Sequence, residues 1–238
     1  MLTMSQYQSA IEQYSGQFLE VVQSSDLNSP VPSCPGWTMA DLTQHLSGTQ
    51  RWSTEIVRTG TRAELPVGPL DRAGLELWFS DGARGLVQTL REIDPQQPTW
   101  NFGPEPRVAS FWSRRQAHEA AVHLWDAMNA QGRPFEIEPK LAADGIDEVC
   151  TVFLYMKLRH ASLPDWAPAL TFIPTDVADC AVQLKASHRE LADAPHVTLR
   201  GSAHDLLLAL WGRRDLQGIQ IEGDAALASA LLASGITP

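Results

Sequence analysis

Apolar residues recur at helical spacing from the start of the chain. Tyr7, Ile11, Tyr14, Phe18, Leu19 and Val22 form one stripe and predict a helix over residues 3–25. A proline-rich break, Pro30 through Trp37, follows. Thr38 then stands as an N-cap with Asp41 in capping-box position, and Trp37 and Leu42 are placed as a hydrophobic staple. The second helix is expected from about Met39 to Thr59, with His45, Thr49 and Trp52 on one stripe. A loop rich in Gly and Pro over 60–70 leads to a third helix over 71–93, ending near Asp94 and Pro95. The fourth includes Arg114 to Ala127 and stops at Gly132, just before Pro134. A fifth covers Leu141 to His160. Long helices joined by such loops predict an antiparallel four-helix bundle.

The pattern changes near residue 163. Segments 169–173, 180–185 and 196–200 read as short strands, two of them alternating. Ser202 to Trp211 reads as helix, 218–223 as another strand and 224–233 as a closing helix. The expected fold class is α+β, mainly α, with an N-terminal helical bundle over 1–162 and a small α+β domain over 163–238.

Composition narrows the function classes. The chain has 238 residues, 44% of them hydrophobic, with eight Trp, which suits a globular protein with a sizeable core. A net charge of -10 argues against nucleic acid or an anionic membrane as partner. Three cysteines, Cys34, Cys150 and Cys180, are too few for a disulfide framework and fit a reducing cytoplasm. The N-terminal residues show no signal-peptide pattern, and the apolar run Leu206–Trp211 is far short of the roughly 20 residues that span a bilayer.

Candidate chemistry lies on the fourth helix. Glu119 and His123, four residues apart, share a face, Asp126 lies three residues further on, and Arg115 one turn before Glu119. A carboxylate and an imidazole at this spacing supply two ligands of an open zinc site of the His, His, Glu type, with His45 the best candidate for the third. A Glu-x-x-x-His pair alone is more often a solvated helix face. Here apolar residues flank it on two sides, Phe111, Trp112 and Val122 on one and Ala117, Ala120, Leu124 and Met128 on the other. A polar stripe so placed needs an ion, a salt bridge or water. For His45 the local chemistry slightly favours a core histidine bonded to a carbonyl, and nothing in the sequence aims it at Glu119. Asp126 reads equally as the partner of a ligand imidazole or as half of a surface salt bridge. His118 points about 100° away from Glu119 and reads as structural. Cys34 reads as packing. Trp52, Arg51 and Arg115 are candidates for holding thiol or substrate, the competing role of the arginines being to pair with protein carboxylates.

Two segments carry a family resemblance. Val31-Pro32-Ser33-Cys34-Pro35-Gly36-Trp37-Thr38-Met39-Ala40-Asp41-Leu42, continuing to His45-Leu46, resembles the N-terminal signature of the mycothiol-dependent maleylpyruvate isomerase family. Arg115 to His123, with Trp125-Asp126-Ala127, resembles its second signature. The resemblance implies a DinB-like four-helix bundle holding one divalent ion, usually zinc, through residues that map onto His45, Glu119 and His123. It implies mycothiol as cosubstrate, and a C-terminal arginine that assists catalysis, for which Arg213 and Arg200 are the candidates. The expected function is attack of a metal-bound thiolate on a small electrophile, either as a cis-trans isomerase of maleylpyruvate or as a thiol S-transferase. The alternative is a non-catalytic metal-binding or regulatory protein that retained the fold. Oligomeric state is left open.

Overall fold

The computed structural model describes residues 2–160, 168–184 and 195–237. Its contacts separate two compact units, Met1–Asn101 with Pro106–Glu136, and Phe102–Glu105 with Ile137–Pro238.

The first unit consists of α1 (Met4–Ser24), α2 (Met39–Thr59), α3 (Arg72–Glu92) and α4 (Ser110–Ala130). Local chemistry sets the ends. Thr3 with Gln6 and Thr38 with Asp41 form capping boxes, so α2 begins where the sequence predicts. Asp71 caps α3 through the Gly74 amide. Gly132, in the left-handed region at φ 63°, turns the chain away after α4.

Around the bundle, α1 packs on α4 and α3, and α2 packs on α3 and α4. The stripe predicted for α1 is buried at Tyr7, Ile11, Tyr14, Phe18 and Val22. It meets Leu75, Phe79 and Leu86 of α3 and Trp112, Ala117 and Leu124 of α4 in a shared core, with the Phe18 and Phe79 rings 5.0 Å apart. Two buried amides tie the helices in register. Gln50 on α2 donates to Ser15 Oγ on α1 at 2.9 Å, and Gln116 on α4 donates to Ser53 Oγ on α2 at 2.7 Å. Inside an apolar core such bonds favour one sliding position over its neighbours, because any shift leaves the amide unpaired. The α2–α4 adjacency is what positions the site.

In the second unit α5 (Pro139–Glu148) starts with Pro139 in its first turn and Glu138 accepting from the Leu141 amide. The single helix expected over 141–160 is interrupted. A π-helical turn at Val149–Phe153 separates α5 from α6 (Leu154–His160), a feature that apolar periodicity cannot signal. Four strands follow, β1 (Ala169–Pro174), β2 (Val182–Leu184), β3 (His196–Gly201) and β4 (Gln220–Glu222), with α7 (Ala203–Leu210) and α8 (Ala225–Ala233). The sheet order is β2-β1-β3-β4. β1 and β3 run parallel, with Phe172 beside Leu199, and the outer pairs are antiparallel. The central strands bury Leu170, Phe172, Val197 and Leu199, and α7 packs on both of them and on α5.

The structure is therefore mainly α in an α+β arrangement, as the sequence predicts. The expected domain boundary near 163 lies outside the described residues, and α5 groups by packing with the second unit. Lys185, expected in the second strand, also lies outside them. No described helix is long and apolar enough to cross a membrane.

Candidate metal centre

The α2–α4 interface brings His45, Glu119 and His123 together. Glu119 Oε1 lies 3.0 Å from His45 Nε2 and 3.3 Å from His123 Nε2. The two imidazole centroids are 5.0 Å apart, edge to face. One turn of α4 supplies Glu119 and His123 because i and i+4 share a face. His45 arrives from the neighbouring helix, held by the Gln116–Ser53 register.

Both Glu119 separations are close to those around a tetrahedral ion, and all three donor atoms lie within 4.8 Å of one another. With zinc–nitrogen and zinc–oxygen bonds near 2.0–2.1 Å, ligand atoms stand about 3.3 Å apart. One observed separation meets this value and the other falls a few tenths of an ångström short. Two neutral imidazoles and a carboxylate are a donor set suited to Zn²⁺, Ni²⁺ or Co²⁺.

Other residues hold the tripod. Asp126, fully buried, lies 2.9 Å from His123 Nδ1. A ring N–H donated there leaves Nε2 facing Glu119 with its lone pair available to an ion, the carboxylate–histidine arrangement common at zinc sites. Asp126 thus lies in the interior rather than on the helix surface. Arg115, only 4% exposed, donates to Glu119 Oε2 at 2.8 Å, leaving Oε1 towards the histidines. This is the pairing with a protein carboxylate that competed with a ligand-holding role for Arg115.

The electrostatics follow from burial opposed by charge. Burial pushes the Glu119 pKa up, but His123 and Arg115 outweigh it and hold the carboxyl well below its ordinary value. Burial likewise disfavours a charged His123, yet Glu119 and Asp126 prevail and raise it to about 9. In the absence of an ion, a proton on His123 balances the carboxylates.

Two residues enter the site that sequence reasoning placed elsewhere. The Trp37 ring lies 4.9 Å from His45 and stacks 6.5 Å from His123, so the residue read as a staple also walls both imidazoles. The Cys34 thiol donates to Asp126 Oδ2 at 3.5 Å, more than packing alone. Their signal was proximity in sequence to the α2 cap, which fixes the turn but not what it faces.

The remaining candidates are more dispersed. Trp52 donates to the Ala63 carbonyl and stands edge-on to Trp100 and Trp112. With Thr49, one turn beyond His45, it lines a cleft of about 640 Å³ that also includes Arg62, Ala63, Glu64 and Leu65. Arg51 is engaged with α3, donating to the Trp78 carbonyl at 2.7 Å with its guanidinium over the Trp78 ring. His118 is buried edge-on to Tyr7, as a structural residue would be. In the second unit Arg200 pairs with Glu222 at 3.0 Å, and Arg213 lies over the Trp211 ring and donates to the Trp211 carbonyl.

Fold and site together define an α+β protein whose helical bundle carries a candidate His, Glu, His metal centre. Residues 9–128 match the mycothiol maleylpyruvate isomerase N-terminal domain and residues 140–230 the MDMPI C-terminal domain, so the chain belongs to the mycothiol maleylpyruvate isomerase family. In fold it is similar to crystal structures of the mycothiol-dependent maleylpyruvate isomerase and of a histidine-to-alanine mutant of that enzyme. The TM-scores are 0.64 and 0.65, each at 14% identity and over 93% of both chains. No curated protein matches it by sequence.

Proposed function

We propose that this chain is a zinc-dependent, mycothiol-using enzyme with His45, Glu119 and His123 as its metal ligands. The observation that carries the reading is the convergence of three donors from two helices within 4.8 Å of one another, each backed by a buried or aromatic partner. Bound there, zinc would offer an open coordination position at which a thiol loses its proton at neutral pH.

The chain's own residues prepare that position. Asp126 keeps the His123 proton on Nδ1 and Nε2 aimed at Glu119. Arg115 fixes the Glu119 carboxylate plane through Oε2. Trp37 shields both imidazoles from water on one face. The cleft at Thr49 and Trp52 provides room for a small electrophile or for part of the thiol. Arg213 and Arg200 are the candidates for the assisting arginine.

Two reactions share this chemistry. As an isomerase, the enzyme adds the thiol across the cis double bond of maleylpyruvate, allows rotation about the resulting single bond, and expels the thiol unchanged. As an S-transferase, it releases the conjugate. The cysteines, none of them disulfide-bonded, accord with a cytoplasmic setting.

The test is the metal content of purified wild type, His45→Ala and Glu119→Ala. The expected result is about one zinc per chain, lost in both variants. Turnover of maleylpyruvate and other electrophiles with mycothiol then separates the reactions, since only a transferase consumes thiol. A wild type that takes up no metal after zinc reconstitution refutes the centre. One that binds zinc yet turns nothing over with any thiol favours a regulatory protein.

A further inference from the structure

His123 faces two groups. Its Nε2 edge belongs to the tripod with His45 and Glu119, and its Nδ1 edge meets Asp126 and, beyond it, Cys34. Asp126 Oδ2 is 2.9 Å from His123 Nδ1 and 3.5 Å from Cys34 Sγ. One ligand atom from each of Cys34, His123 and Asp126 lies within 4.8 Å of the others, and all three residues are buried.

We propose that Cys34, His123 and Asp126 form a second cation site on the opposite edge of the His123 ring, selective for thiophilic divalent ions such as Cd²⁺. The proposal goes beyond the catalytic reading and does not depend on it.

Geometry supports it first. For a tetrahedral zinc-like ion with a sulfur bond near 2.3 Å and oxygen and nitrogen bonds near 2.0–2.1 Å, the sulfur–oxygen edge is about 3.5 Å and the nitrogen–oxygen edge about 3.3 Å. The sulfur–oxygen edge is present at that length, and the nitrogen–oxygen edge needs to open by a few tenths of an ångström. Charge supports it next. A thiolate and a carboxylate neutralise a divalent cation, and the ion replaces two protons, from Cys34 Sγ and His123 Nδ1, which leave to solvent.

Ligand softness then separates the two positions. The tripod offers two nitrogens and one oxygen, whereas this set includes sulfur, which favours Cd²⁺ over harder ions. Cys34 sits in a tight turn closed by its amide to the Val31 carbonyl and by the Trp37 amide to its own carbonyl, each 3.0 Å. Pro35 and Gly36 beside it are exposed. The thiol is held by fixed backbone one short turn from solvent. With both positions filled, the His123 ring joins two cations, and Asp126 no longer accepts its proton.

The experiment is Cd²⁺ titration of the full-length protein, followed by near-ultraviolet thiolate-to-metal charge transfer and by equilibrium dialysis. The expected result is two Cd²⁺ per chain, with the absorption band arising with one of them. The band disappears in Cys34→Ser and persists in Cys180→Ser. In His45→Ala the tripod equivalent is lost and the band remains, so failure of the catalytic centre and failure of this site are distinguishable. No band in wild type, or a band unchanged in Cys34→Ser, overturns the proposal. ¹¹³Cd NMR of the wild type needs no variant: a downfield, sulfur-ligated resonance is expected, and only nitrogen- and oxygen-ligated resonances would overturn it.

Discussion

Zinc at the tripod must compete with a proton, and the size of that competition follows from the structure. Without an ion, His123 lies between Glu119 and Asp126 and holds its proton up to a pKa of about 9. Metal binding at Nε2 displaces that proton, so below this pKa the apparent association constant rises about tenfold per pH unit. From pH 7 to pH 9 the rise is about 50-fold, or roughly 2.3 kcal/mol, and it levels off near ~100-fold above pH 9. The assay is competition against a chromophoric chelator of known pH dependence from pH 7.0 to 9.5. Calorimetry in two buffers of different ionisation enthalpy counts the protons released, with about one per zinc expected near pH 7.5. An affinity that changes less than about threefold between pH 7.5 and 8.5, with no proton release, would refute the account of His123.

Further predictions concern the groups around the tripod. Asp126→Asn removes the charged acceptor from His123 Nδ1 and is expected to weaken zinc binding by about 10- to 100-fold, measured by the same competition. Arg115→Met removes one of the two cations beside the buried Glu119 carboxylate, protonated His123 being the other, and is expected to cost the metal-free protein about 1.5–3 kcal/mol in urea unfolding. A loss below about 1 kcal/mol would mean the pair is dispensable. For the metal-free protein, the raised His123 pKa gives a contribution that is full below its unfolded value of 6.5 and is lost as pH rises through about 9. Thermal midpoints of zinc-free protein should therefore fall across that window, and a flat profile would contradict it. Thr38→Ala removes the α2 capping box and is expected to cost about 1 kcal/mol while leaving zinc stoichiometry unchanged.

What the sequence determines by itself is local. Residue spacing is enough to place Glu119 and His123 on one face, because a helix repeats every 3.6 residues wherever it is packed. Thr38 and Asp41 start α2 by bonds confined to one turn, and Gly132 ends α4 by its own backbone freedom. The strands of the second unit were legible from β-branched and aromatic runs, but their order β2-β1-β3-β4 was not, since pairing joins segments far apart in the chain. The π-helical turn at Val149–Phe153 left no trace in apolar periodicity.

The candidate site divides in the same way. That His45 meets Glu119 across α2 and α4 is a fact of packing, decided by which helices are neighbours and by the buried Gln116–Ser53 bond that sets their register. Local chemistry alone leaned towards a core histidine. Tertiary structure also buries Asp126 against His123, which residue spacing alone does not decide. It assigned Arg115 to Glu119 and Arg51 to the Trp78 carbonyl, and it brought Cys34 against Asp126 and Trp37 against the histidines. Sequence specifies which side chains can share a helix turn. Only the packed bundle decides which turns face each other, because burial, exclusion of water and the pKa values that follow arise from contacts between segments and not within them.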